Sequence, residues 1–567
     1  MQIHELNTFN GTPGGTDFLA IDAGFDTAKI SAPKLLEPKI ERPKDEYNHY
    51  DNGTAGQLLR TNGDGSTEWS DYGLPTDEQT EEAINKWLDD HPEATTTVQD
   101  DSLTESKFTP ALRLKTLKDY VTPEMFGAVG DGVTDDTAAI NDAIDSGNTV
   151  LFSNKTYYMA GSVIKNNLND IILIGLHTTI YCASSNTAKA CIDFVDSNNI
   201  YVEGLSFDSA RDQTEQAPTG HTRVSSNGSN VLGLSFRNSS NIIIKNVSFN
   251  NMASDLWFQI SSNSDINDNI VIDGWYSRNA SMPAYLAKVT NIKINNADLL
   301  PVVNMGDGDH ALYFSAASDN IYISNSKIVA PDEYFGYIIT AHTSGGVPDD
   351  DYDYQPKDIY IDNCTLKFRG GLYTTIGRFH INNCRLIKNI LDAAYVVFAG
   401  DGLYEAANTI FEMANGSIHI GSGTPAIGLR LNGCTVQYPS DTIGDMIAAT
   451  TKMEIVNCYL FNVCILNINS PSNKLDIIIA NNICVHTKRG TSFITRRNNT
   501  NGIIKLYNNI VFGNSADKTV WLIYVPSGDM TGFSCYGNIV NDFAGFGSET
   551  ANGIIINNYL NNTLVTP

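Results

Sequence analysis

Asn241-Ile242-Ile243-Ile244-Lys245-Asn246-Val247-Ser248-Phe249 is one copy of a nine-residue phrase that the chain repeats fifteen times between residues 170 and 560. Other clear copies are Asn320-Ile321-Tyr322-Ile323-Ser324-Asn325, Asp358-Ile359-Tyr360-Ile361-Asp362-Asn363-Cys364 and Gly553-Ile554-Ile555-Ile556-Asn557-Asn558-Tyr559-Leu560. The phrases start at 170, 199, 241, 269, 291, 320, 358, 378, 403, 428, 452, 476, 503, 532 and 552, about 27 residues apart on average. A period of that size, built from short alternating strands, signals a solenoid in which each turn buries its apolar face only against its neighbours. Ile-x-Ile sends two side chains to one side of a pleat, and Asn tolerates the left-handed backbone that a sharp corner needs. Equivalent residues of stacked turns then lie about 4.8 Å apart. The expected fold class is all-β, a parallel β-helix.

One column of the repeat supports this register independently. The position after the corner Asn reads Ser326, Cys364, Cys384, Thr409, Cys434, Cys458, Asn482, Asn509, Asn538 and Asn558. Small residues giving way to a run of Asn describe an inward-facing stack, with free Cys acting as a small hydrophobe. A disulfide or metal set is the rival reading of the cysteines. Their number is odd at nine, their spacing is that of the repeat, and Cys-x-x-Cys does not occur, so packing is preferred.

The 567 residues give room for a large core and smaller modules. A net charge of −27 argues against binding a phosphate backbone, which needs clustered Lys and Arg, so no nucleic-acid partner is expected. Met1 to Leu6 has neither the basic start nor the apolar core of a secretory signal, and no apolar run approaches the roughly 20 residues of a membrane span. A chain made in the cytoplasm without membrane insertion is the expectation.

Residues 1–120 lack the period. Gly-, Pro- and Asp-rich stretches alternate with short apolar segments such as Phe18-Leu19-Ala20-Ile21. Residues 55–69 read as a hairpin around Asn62-Gly63-Asp64-Gly65, whose residues accept positive φ. A helix follows, opened by Thr76 with Gln79 as a capping box and stopped at His91-Pro92. Its stripe of Ala83, Ile84, Trp87 and Leu88 suits either an oligomer seam or a neighbouring module.

Residues 121–145 read as a strand, a glycine turn, and a helix capped by Asp135 with Ala139, Ile140, Ala143 and Ile144 on one face. That face would cover the open end of the first coil. Asp131, Asp135 and Asp136 are assigned to turn and cap duty rather than to a metal or catalytic cluster.

The string Phe126-Gly127-Ala128-Val129-Gly130-Asp131-Gly132-Val133-Thr134-Asp135-Asp136-Thr137-Ala138-Ala139-Ile140, followed by such coils, resembles the pectate-lyase-like β-helix proteins, among them polygalacturonases, rhamnogalacturonases and bacteriophage tailspikes. The likeness covers about residues 120–567 and implies a right-handed helix of about 15 coils. Residues 1–120, above all Gly56-Gln57-Leu58-Leu59 to Trp69, are similar to attachment segments and hairpin modules of phage tail proteins. Taken together, the resemblances imply a homotrimeric receptor-binding protein of a virion tail. Its parts would be an α+β attachment region over 1–50, a hairpin and helix neck over 51–120, an opening and cap over 121–150, and the β-helix over 151–567. Its partners would be a tail or baseplate protein and host surface polysaccharide. Two departures stand out: only Asn561 to Pro567 follow the last phrase, and the doubled-Asp pattern of polygalacturonases is absent, so no catalytic residue carries over one for one.

The strand before each phrase is where chemistry is sought. Read as 255–260, 283–288, 311–315, 334–340, 372–376 and 395–398, these strands send Leu256, Phe258, Leu286, Leu312, Phe314, Val396 and Phe398 inward. Trp257, Tyr285, Tyr313, Tyr373 and Tyr395 then point outward, with Tyr337 ambiguous. Such a column suits sugar rings, whose apolar faces stack on aromatic side chains; a subunit interface or plain cross-strand packing are the alternatives. Asp255 opens one of these strands, and Asp307, Asp309 and His310 open another. Asp255 and Asp309 lie two coils apart, about 10 Å, slightly beyond the roughly 6.5–9.5 Å between the carboxylates of an inverting glycosidase, a gap that side-chain reach could close. They form the candidate acid and base, with His310 tuning or replacing one, and Arg211 or Arg223 holding an anionic sugar. Tyr313 with His310 keeps β-elimination open, and a non-enzymatic adhesin would use the same groove only to hold. Asp349-Asp350-Asp351-Tyr352-Asp353 lacks the Gly and Glu of an EF-hand loop and reads as a solvated acidic loop. No metal or cofactor is expected.

Overall fold

In this computed structural model the described residues run from 120 to 565, with interruptions that include 210–230, 303–309, 343–355 and 389–396. Before residue 120 they comprise the backbone of four strands. The chain divides into two compact units, Met1–Lys115 and Thr116–Pro567. In the first, Phe18–Asp22 pairs antiparallel with Thr27–Ser31, and Gln57–Thr61 with Thr67–Asp71. The second pair is the hairpin expected around Asn62–Gly65. The helix expected from Thr76 lies outside the described residues.

The second unit is a parallel β-helix. Each phrase forms a strand that pairs in parallel with the same phrase one coil away, so Ile242, Ile270, Ile292, Ile321 and Ile359 fall in one register column. Ile244, Ile272, Ile294, Ile323, Ile361 and Ile381 fall in the next inward column. All are at most 2% exposed, as Ile-x-Ile requires. Burying such a side chain contributes roughly 1.5–3 kcal/mol, and β-branched residues fit the pleat with little rotamer loss.

At the end of the phrase's first strand the chain turns through a left-handed residue, which is Asn246, Asn296, Asn325, Asn363, Asn383, Asn408, Asn457, Asn481 or Asn508 in nine of the coils. Gly204, Gly274, Gly433 and Gly537 take over at four corners, with φ of 70°, 76°, 64° and 63°. Asn is favoured here because its short amide bonds locally, and the amides also link coils: Asn363 Nδ2 donates to Asn325 Oδ1 at 2.7 Å. A short third strand then leads to the strand preceding the next phrase. Those preceding strands form a nine-stranded parallel sheet and, further on, a six-stranded one.

The column after the corner is inward throughout. Ser326, Cys364, Cys384, Thr409, Cys434, Cys458, Asn482, Asn509, Asn538 and Asn558 are all buried, and the four cysteines among them are free thiols. Cys182 and Cys191, outside that column and unassigned from sequence, are disulfide-bonded.

Helix Thr137–Asp145 covers the first coil with Ala139, Ile140, Ala143 and Ile144, the four residues expected. Its N-cap is Asp136 rather than Asp135. Asp136 is buried and receives the amides of Val129 and Gly130 at 2.6 and 3.1 Å, which folds the glycine turn back onto the helix. Asp135 receives the Thr137 and Ala160 amides, and Asp131 those of Val133 and Thr134. All three carboxylates therefore do turn and cap work.

Candidate functional site

The outward face of the nine-stranded sheet carries an aromatic column. Strands Ser254–Gln259, Ala284–Ala287, Leu312–Ser315, Tyr337–Ala341 and Gly370–Thr374 lie side by side, pairing Trp257 with Tyr285, Tyr285 with Tyr313, Tyr313 with Thr340, and Thr340 with Tyr373. Leu256, Phe258, Leu286, Leu312 and Phe314 point inward and are fully buried. Phe194, Phe236 and Phe258 stack beneath the sheet at 5.5 and 4.7 Å. The outer rings are thus held from behind by a close-packed ladder.

Ring angles separate this column from ordinary cross-strand packing. Trp257 and Tyr285 stack at 4.5 Å and 26°, but Tyr285 and Tyr313 meet edge to face at 5.4 Å and 65°. A ladder of parallel rings covers its own faces; a turned ring presents one outward. On its other side Trp257 is paired with Ser235, which is too small to cover an indole. Gln259 Nε2 donates to Ser235 Oγ at 3.3 Å, and Arg237 Nη2 lies 3.5 Å from Asp193 Oδ2, so polar groups border the rings. By contrast, Tyr322, Tyr360 and His380 on the phrase sheet stack at 4.8 Å and 10°, then 4.6 Å and 11°, and cover one another. His380 Nδ1 continues that ladder to Glu405 at 2.9 Å. An open pocket of about 640 Å³ beside it is lined by Asp268, Asp319, Asp358 and Tyr360. Among the described residues no group of three His, Cys, Asp or Glu is placed to hold a metal ion.

Where the column reaches Thr340 the aromatic run is completed by two histidines. His342 Nε2 lies 3.2 Å from the Tyr313 hydroxyl, and its ring meets Tyr373 edge-on at 5.6 Å. His310 Nδ1 lies 2.8 Å from Thr340 Oγ1 and 3.2 Å from the Tyr337 carbonyl oxygen. Burial lowers the His310 pKa to about 4, so this imidazole is neutral near pH 7. Tyr337 stacks on Tyr373 at 5.3 Å and 30°, resolving its ambiguous alternation in favour of the outer face.

One expected site residue is placed differently. Asp255 does not face the groove: it is 0% exposed, and Trp275 Nε1, equally buried, donates to its Oδ2 at 3.0 Å. The cause is a break in alternation. The amides of Asp255 and Leu256 both donate to the Pro283 carbonyl, so consecutive side chains turn inward. Gly233 makes room, since a Cβ there would stand 2.5 Å from the Asp255 carbonyl oxygen. Phe398 is inward as expected, and Val397 is buried beside it. Asp307, Asp309, Arg211, Arg223, Tyr395, Val396 and the loop Asp349–Asp353 lie outside the described residues. His342 and Arg237 went unnoticed in the sequence; each follows an outward residue by two positions, Thr340 and Ser235, and alternation alone would have found them.

Residues 123–328 match the family described as rhamnogalacturonase A/epimerase, pectate lyase-like. That segment is pectate-lyase-like. It contains the capping helix and, of the aromatic column, Trp257, Tyr285 and Tyr313. The chain is also similar, 53% identical over 47 residues, to a capsule K30/K69-specific depolymerase of Klebsiella phage K64-1. It is 52% identical over 44 residues to the capsule KN3-specific depolymerase 1 of Klebsiella phage KN3-1. These matches cover 8% and 7% of this chain, and each spans 6% of the relative's length. Among solved structures, an N-terminal fragment of bacteriophage phi29 gene product 12 is similar at 14% identity and a TM-score of 0.43, over 78% of this chain and 73% of that one. The A-module of the mannuronan C-5 epimerase AlgE6 of Azotobacter vinelandii is similar at 14% identity and 0.36, over 74% and 99%. Among the described residues no helix is long and apolar enough to cross a membrane.

Proposed function

We propose that this chain is a phage tailspike-like, receptor-binding protein of the virion tail that engages host surface polysaccharide and depolymerises it. The observation that carries the reading is the outward column of Trp257, Tyr285 and Tyr313, stacked at one step and edge to face at the next, with polar groups at its border. Successive aromatic rows lie one coil apart, about 4.8 Å, which suits consecutive rings of an extended glycan chain. The pectate-lyase-like segment and the short likeness to two capsule depolymerases support the same reading. Residues 1–120 are assigned to attachment to the tail, and the assembly to a homotrimer.

Replacing Trp257 with Ala should weaken glycan binding by about 1–3 kcal/mol, the scale of a lost aromatic anchor, while thermal stability stays close to wild type because the ring lies outside the core. Titration against a capsule or wall glycan measures it; unchanged affinity would move the binding face elsewhere. Light scattering of the intact chain should give the mass of three protomers, and a monomer mass would remove the oligomer from the reading.

For cleavage, hydrolysis needs one protonated carboxyl and one carboxylate on the substrate side. With Asp255 beneath the sheet, that pair would have to be made by Asp309 or Asp307 with another partner, and His310, neutral near pH 7, would act only as a hydrogen-bonding group. A pure adhesin would use the same face; release of shortened chains from bound polysaccharide separates the two.

A further inference from the structure

We propose that the outer face of the third strand in the C-terminal coils, carrying Tyr459, Ile483, Ile510, Ile539 and Tyr559, is the contact surface between copies of this chain. Three copies pack side by side in parallel, with these columns meeting at the three-fold axis. This rests on the homotrimer of the reading above and supplies the contact that reading leaves unassigned.

In these coils the short strand after the corner turns its middle residue inward, and Leu460, Cys484, Val511 and Val540 are fully buried. The residues on either side of it point outward. Tyr459, Ile483, Ile510, Ile539 and Tyr559 follow one another in unbroken parallel register, and Phe461, Val485 and Phe512 form a second outward column beside them. Tyr459, Ile483, Ile539 and Tyr559 are 39–44% exposed. Ile483-Cys484-Val485 and Ile510-Val511-Phe512 are therefore apolar on both sides, the pattern of strands covered on both faces rather than of strands with one face in water. Further back, the same column reads Asp298, Lys327, Thr365 and Arg385, and past Ile410 and Thr435 it becomes apolar. Strand position and inward packing are alike in the two halves, so the fold alone does not demand apolar side chains on the outside. A contiguous exposed apolar stripe of this kind marks an interaction surface.

Charge and spacing specify a copy of this chain as the partner. With a net charge of −27, copies repel one another over most directions of approach. The phrase sheet of the same coils presents Glu454, Asp476 and Lys505, whereas the two columns hold no charged residue from Thr435 and Gln437 onward. Copies can meet on this face without burying an unpaired carboxylate. The columns also run along the solenoid, rising about 4.8 Å per coil and about 20 Å from Tyr459 to Tyr559. A parallel copy in register has the same rise, so each side chain meets its counterpart at its own height and the contact persists through all five coils. A three-fold arrangement closes on itself and gives every copy the same surroundings. Trp257, Tyr285 and Tyr313 lie on another sheet and in earlier coils, so this association leaves the aromatic column uncovered.

The experiment uses the full chain. Ile483→Cys and Ile539→Cys, each treated with a mild oxidant and run on a denaturing gel, should give covalent dimers, because three thiols meet at the axis and two of them pair. Tyr360→Cys, on the phrase sheet and outside the columns, should run as a monomer, and so should wild type, whose free thiols are buried. Ile483→Lys combined with Ile539→Lys should raise the midpoint concentration of trimer dissociation by about 100-fold or more in analytical ultracentrifugation, since it sets like charges against one another. Circular dichroism should stay that of wild type, because both side chains point away from the core. Cysteine is small and apolar, so the cross-links decide the question even where the lysines disturb folding. A trimer in which neither cysteine variant cross-links would overturn this face and leave the homotrimer standing, as would a double lysine variant that is folded and dissociates no more readily than wild type. Cross-linking at one of the two heights alone would overturn the parallel arrangement. A wild-type chain that is monomeric at every concentration would remove the homotrimer and this contact with it.

Discussion

Changing Ile361 to Asp should unfold the coils around it, whereas the same change at its neighbour Tyr360 should be tolerated. Ile361 is 1% exposed and sits in register between Ile323 and Ile381, so a carboxylate there meets only apolar side chains above and below. An uncompensated buried charge costs several kcal/mol, a large share of the 5–15 kcal/mol that typically holds a folded domain together. Tyr360 lies on the other side of the pleat. Its replacement forfeits the stacks with Tyr322 and His380, and places a carboxylate near Asp358, but leaves the charge in water. That loss should stay within about 1–2 kcal/mol. Soluble yield and resistance to protease separate the outcomes. Equal tolerance at both positions would refute the register, and with it the assignment of which residues face the groove.

That register was open to reading because it is local. Two aliphatics at i and i+2 followed by a residue at home in left-handed backbone specify strand, face and corner within six positions, and stacking repeats the demand fifteen times over. The aromatic column followed from the same alternation at Trp257, Tyr285, Tyr313 and Tyr373. Where alternation broke, so did the reading. At Asp255 and Leu256 two successive amides share the Pro283 carbonyl, and the carboxylate expected in the groove is clasped by the indole of Trp275 inside. Ile338 and Ile339, both buried, show why Tyr337 could not be assigned from its neighbours.

The His342–Tyr313 contact was hidden for a different reason. It joins positions 29 residues apart, across two adjacent strands whose connecting segment differs in length from coil to coil. The mean period predicts that two strands are neighbours, but it does not say which of their outward residues come into hydrogen-bond reach. Cys182 and Cys191 posed a related difficulty: neither belongs to the column that explained the other cysteines, so nothing in the repeat pointed to their pairing.

The inward Asn run should prove as intolerant as the aliphatic core. Asn509 is fully buried, with Nδ2 donating to the Ile479 carbonyl at 2.8 Å and to Asn538 Oδ1 at 2.9 Å. Its Oδ1 receives both the amide and the Nδ2 of Asn482, at 3.0 and 2.9 Å. Every donor and acceptor of the side chain is therefore used, and the same pattern recurs from Asn482 to Asn558. Replacing Asn509 with Ala would leave partners in the two adjacent coils, Ile479 and Asn482 on one side and Asn538 on the other, short of a hydrogen bond in a site that excludes water. At about 1–3 kcal/mol for each buried group left unmade, the expected loss is several kcal/mol. Asn509→Asp should be worse, because it removes both donors and adds a buried charge. Cys384→Ser should cost much less, on the order of 1 kcal/mol, since a hydroxyl can still reach the Asn382 carbonyl that the thiol approaches at 3.1 Å. Because each coil contacts only its neighbours, the damage should remain local: hydrogen exchange should show the coils from about residue 476 onward opening in Asn509→Ala, with those carrying Trp257 and Tyr313 still protected. Uniform loss of protection along the whole solenoid would show that its coils unfold as a single cooperative unit, and wild-type stability in Asn509→Ala would show that the ladder contributes nothing to holding them together.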